Sequence, residues 1–279
     1  MIDLILEEKL DELDPLRHLR NDDDAQLADV VPAQPPSIHN QLVELSFSSD
    51  ESALLPNPVV IKLVVDASPG CGGIAWPAGE VRLPCVIHRI IVLNNCVCTV
   101  CQVLAAYIAR RGSWKGKNVL ELGSGTGLVG LVAGKLGARA CITDQAPLIE
   151  IMARNVSMND LTALVTVAEL NWGEPIPQDI PRPDVLLAAD CVYFEPAFPL
   201  LVKTLADLVI DDTTEVLFCY KKRRKADKRF FTLLKKEFTW TEVDDNPARD
   251  AYSREAISLL RLSRKHSRLS CRTVTSRCR

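Results

Sequence analysis

Two short stretches near the start of the chain carry a β-type pattern. Leu42-Val43-Glu44-Leu45-Ser46-Phe47 alternates polar and apolar positions, and Val59-Val60-Ile61-Lys62-Leu63-Val64-Val65 is an apolar, β-branched run. Residues 48–57 between them supply turn residues, so the pair predicts a hairpin. From Lys117 onward, apolar runs of strand length alternate with segments of helical period. Strands are predicted at 118–122, 140–143, 164–169, 184–188 and 215–220. Helices are predicted at 126–136, 146–158, 199–208 and 225–236, with a closing antiparallel pair at 239–244 and 256–262. Such alternation predicts an α/β fold with a mostly parallel, doubly wound sheet. Ligands of such sheets bind at the carboxyl ends of the strands, where the strand order reverses.

The flanks read differently. Residues 1–31 hold ten acidic and three basic side chains, and Pro32-Ala33-Gln34-Pro35-Pro36 follows. Residues 1–40 are therefore expected to be an acidic, disordered arm ahead of a domain at 41–265. Residues 266–279 are expected to be a basic tail. The chain of 279 residues is 47% hydrophobic and 25% charged, with a formal net charge of −3. That balance fits a globular protein and argues against nucleic acid as the main partner. No apolar run is long enough for a spanning helix, so no membrane is expected. The first eight residues lack a basic segment and a long apolar core, so the reading is a cytoplasmic chain whose ten cysteines stay reduced.

Chemistry gathers at the predicted strand ends. Glu121-Leu122-Gly123-Ser124-Gly125-Thr126-Gly127 joins a strand to a helix through glycines, which allow a close backbone approach and expose helix N–H groups to a ligand. It departs from the dinucleotide fingerprint, since the third glycine comes one residue early, and from the phosphate loop, since no Lys follows. Asp144 ends the second strand, where a carboxylate either accepts ribose hydroxyls or caps the next helix. Asn171-Trp172 follows the third strand, where the indole either walls an adenine or packs in the core. Ala189-Asp190-Cys191-Val192-Tyr193 follows the fourth, and places a carboxylate and a phenol at one mouth. Residues 221–236 hold nine Lys and Arg, most of them expected on a solvated face, with Lys221–Lys225 near enough to the strand end to meet an acidic substrate surface.

Taken in order, the motifs resemble the class I S-adenosylmethionine (SAM) methyltransferases, and within them the protein-lysine methyltransferases of methyltransferase family 16. The family's Gly-Gly-x-x-Trp, Glu-x-Gly-x-Gly-x-Gly, Asp, Asn-Trp and Ala-Asp-x-x-Tyr elements all occur between about residues 70 and 262. The resemblance implies a Rossmann-like seven-strand sheet with the hairpin as an N-terminal extension. It implies SAM as cofactor, lined by Trp76, Glu121, Gly123, Ser124, Gly125, Asp144, Trp172 and Ala189. Asp190 and Tyr193 would face the target amine, Asp190 orienting it and Tyr193 walling the mouth. No metal is implied. Residues 218–230 are similar to the family's elongation-factor members, which implies a protein substrate, translation elongation factor one-alpha, and also to the member acting on the valosin-containing AAA ATPase; a monomer is expected. A small-molecule methyltransferase and a catalytically impaired SAM-fold binding protein are the competing readings on the same fold.

One stretch does not match the family. Trp76-Pro77-Ala78-Gly79-Glu80 should run directly into Val103-Leu104-Ala105-Ala106, yet the 22 residues Val81–Gln102 lie between them with four cysteines. The readings are a loop insertion, an added strand, or an in-frame retained intron, since Val codons begin GT and one Gln codon ends AG. Cys96-x-Cys98-x-x-Cys101 closes no four-ligand zinc pattern.

Overall fold

The computed structural model describes residues 41–47, 58–66, 97–223, 225 and 227–265. The expected arm, the Trp76 loop, residues 81–96 and the basic tail lie outside them, so Trp76 has no place in the geometry below.

The predicted hairpin forms. β1 (Gln41–Phe47) pairs antiparallel with β2 (Val59–Val65) in the register Gln41↔Val65 to Phe47↔Val59. The main sheet takes β3 (Asn118–Leu122), β4 (Arg139–Asp144), β5 (Val165–Glu169), β6 (Val185–Ala189), β7 (Glu215–Lys221), β8 (Phe238–Glu242) and β9 (Ile257–Arg264). Its order is β5-β4-β3-β6-β7-β9-β8, parallel from β5 to β7, with β9 antiparallel to both neighbours. The order reverses between β3 and β6, so the carboxyl ends of those strands open onto a crevice.

Among the described residues six α-helices connect the strands: α1 (Thr99–Arg110), α2 (Leu128–Lys135), α3 (Ile149–Met158), α4 (Phe198–Leu208), α5 (Asp227–Glu237) and α6 (Arg249–Arg254). Alternation along the strands feeds two cores. Val119, Ile142, Val185 and Leu187 pack with α1, α2, α3 and the hairpin, while Leu120, Leu122, Leu186 and Phe218 pack with α4 and α5. On the second face Phe230 stacks on Phe218 at 5.5 Å and meets Phe198 edge-on at 5.6 Å. Among the described residues no helix is long and apolar enough to cross a membrane.

Three boundaries differ from the sequence pattern for local reasons. α2 starts at Leu128 rather than Thr126, because Gly127 lies in the left-handed region (φ +85°) and keeps the turn open for one more residue. Ala146–Leu148, which contains Pro147, forms a 3₁₀ turn ahead of α3 instead of that helix's first turn. α1 starts at Thr99, four residues ahead of the Val103 stretch that the family joins to the Trp76 segment. Val100 is buried and continues the apolar stripe of Val103, Leu104, Tyr107 and Ile108, so the last four residues of the 81–102 stretch pack as helix.

Two asparagines one turn apart, Asn155 on α3 and Asn159 at its C-terminal cap, hold the hairpin. The Val64 N–H donates to Asn155 Oδ1 at 2.7 Å, and Asn155 Nδ2 donates to the carbonyls of Val64 (3.2 Å) and Thr126 (2.9 Å). The Lys62 N–H donates to Asn159 Oδ1 at 2.9 Å, and Asn159 Nδ2 returns a bond to Lys62 O at 2.6 Å. Side-chain amides thus satisfy alternate backbone groups along the edge of β2, as a neighbouring strand would. Because Thr126 belongs to the glycine turn, the same asparagine ties hairpin and turn together.

Candidate active site

The glycine turn is built by the end of β3. Gly123 (φ +60°) and Gly125 (φ +57°) both take left-handed backbone. At Gly123 a side chain is excluded twice over. A Cβ there would sit 2.9 Å from Trp172 Cζ2 and 3.2 Å from Cys191 Sγ, so the turn exists because two other strand ends close over it. Ser124 fastens the turn to β4: its N–H donates to Thr143 O at 3.0 Å, and its Oγ accepts from the Thr143 N–H at 3.0 Å. The Thr143 hydroxyl donates to Glu121 O at 2.7 Å.

Asp144 closes the loop from the other side. Its Oδ2 accepts from the Gly125 N–H and its Oδ1 from the Gln145 N–H, both at 2.8 Å. Burial raises its pKa, and those two backbone bonds oppose the rise. Glu121 turns away from the mouth. Its Oε2 accepts from the Gly130 N–H of α2 at 2.8 Å, and burial pushes the carboxyl up to about 8. Glu121 therefore supports the turn from beneath. Trp172 lies against Gly123, whereas Asn171 is committed outward: its amide donates to Glu169 at 3.0 Å and Glu174 at 3.3 Å.

β6 runs fully buried to Ala189 and then turns abruptly. Asp190 has φ +61°, a left-handed conformation that Asp tolerates better than most residues, and its N–H donates to Cys219 O at 2.9 Å. The same loop carries Tyr193, 42% exposed, and Cys191, which is buried beneath the turn. The structure thus brings Gly123, Ser124, Gly125, Asp144, Trp172, Ala189 and Asp190 to one edge of the sheet.

Two contacts of Asp190 were not legible in the sequence. Arg223 grips it with both arms, Nη1 to Oδ1 at 2.6 Å and Nη2 to Oδ2 at 2.7 Å. Cys98 Sγ, just ahead of α1, donates to Oδ2 at 3.1 Å. In sequence Arg223 is one of nine basic residues in a run, with nothing to set it apart. The signal lay in strand pairing: Ala189 faces Cys219 across β6 and β7, so residues just past β7 return beside Asp190. Burial lowers the Arg223 pKa, but the bonds and charge of Asp190 outweigh it and the net shift is upward. A groove of about 610 Å³ between α5 and strands β7, β9 and β8, edged by Lys222, Lys228, Phe231 and Trp240, shares no residue with the glycine turn or Asp190.

The profile of the lysine methyltransferase family matches residues 57–237, well over half of the chain. This chain belongs to that family. Protein-lysine N-methyltransferase EFM6 of Saccharomyces cerevisiae is 38% identical over 254 residues, covering 85% of this chain and 96% of that one. Protein N-lysine methyltransferase METTL21A of Danio rerio is 43% identical over 149 residues, 51% of this chain and 67% of its own. Among solved structures, the T. thermophilus 16S rRNA N2 G1207 methyltransferase RsmC superposes at TM-score 0.49 and 14% identity, over 84% of this chain and 52% of that one. As a member of the family, the chain is a SAM-dependent protein-lysine N-methyltransferase.

The site fits that cofactor. Among the described residues each Asp144 oxygen accepts one backbone bond, which leaves it a second lone pair that suits the paired hydroxyls of a ribose. Gly123 and Gly125 hold left-handed backbone with no side chain of their own, and the Trp172 indole lies against Gly123.

Proposed function

We propose that this methyltransferase presents a lysine ε-amine of a protein substrate to Asp190 and Tyr193. In this reading SAM is held by Gly123, Ser124, Gly125, Asp144, Trp172 and Ala189, joined by Trp76, with Glu121 bracing the turn. The observation that carries it is Asp190: a half-buried carboxylate held in left-handed backbone at the end of β6, in the same loop as exposed Tyr193 and next to the residue packed beneath Gly123.

S-adenosylmethionine supplies a methyl group already activated on a sulfonium. What remains for the chain is alignment and a neutral amine. Fixing the two reactants in line is worth roughly 7–11 kcal/mol of the barrier. Asp190 supplies an acceptor rigidly placed by the Cys219 carbonyl below it, so the amine N–H bonds to it and the nitrogen lone pair faces the crevice. Tyr193 offers a ring face that attracts the lysine while it is still charged. A lysine near pKa 10.4 must then lose its proton, and desolvation between ring and sheet edge favours the loss.

The substrate we propose is a lysine of translation elongation factor one-alpha, methylated in the cytoplasm by a monomer. The likeness of residues 218–230 to the family's elongation-factor members and the near full-length match to EFM6 support it. The test is radiolabelled methyl transfer from SAM to that purified factor, with label counted in acid-precipitated protein. Asp190→Asn keeps a residue that tolerates the backbone and should lower transfer at least about 100-fold through lost alignment. SAM affinity by calorimetry should stay near wild type. Transfer at the wild-type rate by that variant would overturn the role of Asp190, and no acid-precipitable label with the wild-type chain would overturn this substrate.

A further inference from the structure

A carboxylate facing a lysine creates a conflict. It orients the amine, but a bare negative charge also favours the ammonium, which has no lone pair to donate. In this fold the carboxylate is not bare. The Arg223 guanidinium takes one lone pair from each Asp190 oxygen, and Cys98 takes the second on Oδ2. Among the described residues nothing else bonds Oδ1, whose second lone pair is left as an acceptor. The pair is partly buried, with side-chain exposures of 27% for Arg223 and 16% for Asp190. Arg223 is itself anchored: its N–H donates at 2.8 Å to Asp227 Oδ2 at the start of α5.

We propose that Arg223 is a positioning residue for methyl transfer, holding Asp190 in a net-neutral pair so that one oxygen orients the lysine amine without stabilising its protonated form. The inference rests on the reading of Asp190 given above. Guanidinium suits the task because it stays charged at any working pH and its planar fork fixes both oxygens at once. Described titratable groups lie around the pair: Cys98 and Cys101 at α1, Cys191 after β6, Cys219 on β7 and Asp227 on α5, while Glu121 and Asp144 act on the Cys191 thiol behind them. Among these described groups Arg223 is the cation, so its removal leaves the Asp190 carboxylate unneutralised by any of them.

The experiment measures kcat and KM for elongation factor one-alpha across the pH range in which kcat rises as the bound amine deprotonates. For Arg223→Gln the rise should move up by about one pH unit or more, lowering kcat roughly tenfold below the limb and converging on wild type at high pH. KM for the protein substrate should stay level or fall, since an unpaired carboxylate binds ammonium more strongly. Calorimetry without SAM should give the same result, with the factor bound no more weakly than by wild type. Arg223→Lys keeps the charge and loses the fork, so its limb should stay in place with a lowered kcat. An unmoved limb in the Gln variant, or a raised KM at unchanged kcat, would overturn the proposal. If the Gln variant does not fold, the Lys variant decides, and a wild-type kcat or a shifted limb there counts against it. Asp190→Asn run beside them separates the two claims. If it is inactive while Arg223→Gln behaves as wild type, the role of Arg223 falls alone. If it is active, the reading of Asp190 falls first.

Discussion

At the scale of single residues, the site depends on groups that fill one another's space. Gly123→Ala would place a methyl 2.9 Å from the Trp172 ring in backbone that disfavours any side chain. A loss of about 1–3 kcal/mol in stability is expected, together with weaker SAM binding as the indole is displaced. Thermal unfolding and calorimetry check this, and wild-type values in both would mean Trp172 does not rest on the turn. Glu121 predicts a pH effect. Its carboxyl titrates near 8 when folded, against an ordinary 4.5. The folded state therefore binds that proton more tightly than the unfolded chain does. The resulting stability is complete below pH 4.5 and is lost as pH rises through about 8. Relative to Glu121→Gln, the wild type should lose Tm steadily across that window, by the equivalent of a few kcal/mol. Parallel Tm curves for the two proteins would show the carboxyl ionising freely.

Legibility at this scale was uneven. Gly123, Asp144, Trp172 and Asp190 stood out because each follows a strand pattern, and strand ends of this fold converge. Arg223 did not, since its role comes from the β6–β7 pairing and not from its neighbours in the run. Glu121 carried a motif position but faces α2, because side chains alternate across a strand and its mouthward neighbours are backbone.

At the scale of elements, the alternation of short apolar runs with helical periods was enough to give the strands and the helices α2 to α5, but not α1 or the short α6 between β8 and β9. Boundaries moved where a local conformation competed with the pattern: a left-handed Gly127, a proline at 147, an apolar stripe reaching back to Val100. The attachment of the hairpin was not visible, because Asn155 lies within the predicted helix 146–158 and Asn159 just past it, with nothing in the sequence to pair them with Lys62 and Val64. Asn155→Ala would leave two buried backbone groups of Val64 and the Thr126 carbonyl without these partners, at a cost of about 2–4 kcal/mol. SAM affinity should fall with it, since Thr126 belongs to the turn. Leu42→Ala, at an exposed position of β1, should cost under about 0.5 kcal/mol. Equal stabilities for the two variants would show that the amide ladder does not hold the hairpin.

At the scale of the whole molecule, cofactor binding and folding are linked. The turn, Asp144, Trp172 and the β6 loop come from four separate strand ends, so a ligand that touches them all stabilises the sheet edge they share. SAM at one hundred times its Kd should add about 2.7 kcal/mol and raise Tm by about 5–10 °C. No shift at saturating SAM would separate the cofactor from this edge. The sequence conveyed the enzyme class through the order of its motifs, but it conveyed nothing of the ion pair at the mouth, which exists only once β6 and β7 lie side by side.

The most direct measurement is mass spectrometry of elongation factor one-alpha after incubation with SAM and either the wild-type chain or Asp190→Asn, the two matched for SAM affinity. The account predicts a methylated lysine with the wild type and an unmodified factor with the variant. Equal methylation by both, or a wild-type chain that binds SAM and leaves every lysine of the factor unmodified, would contradict it.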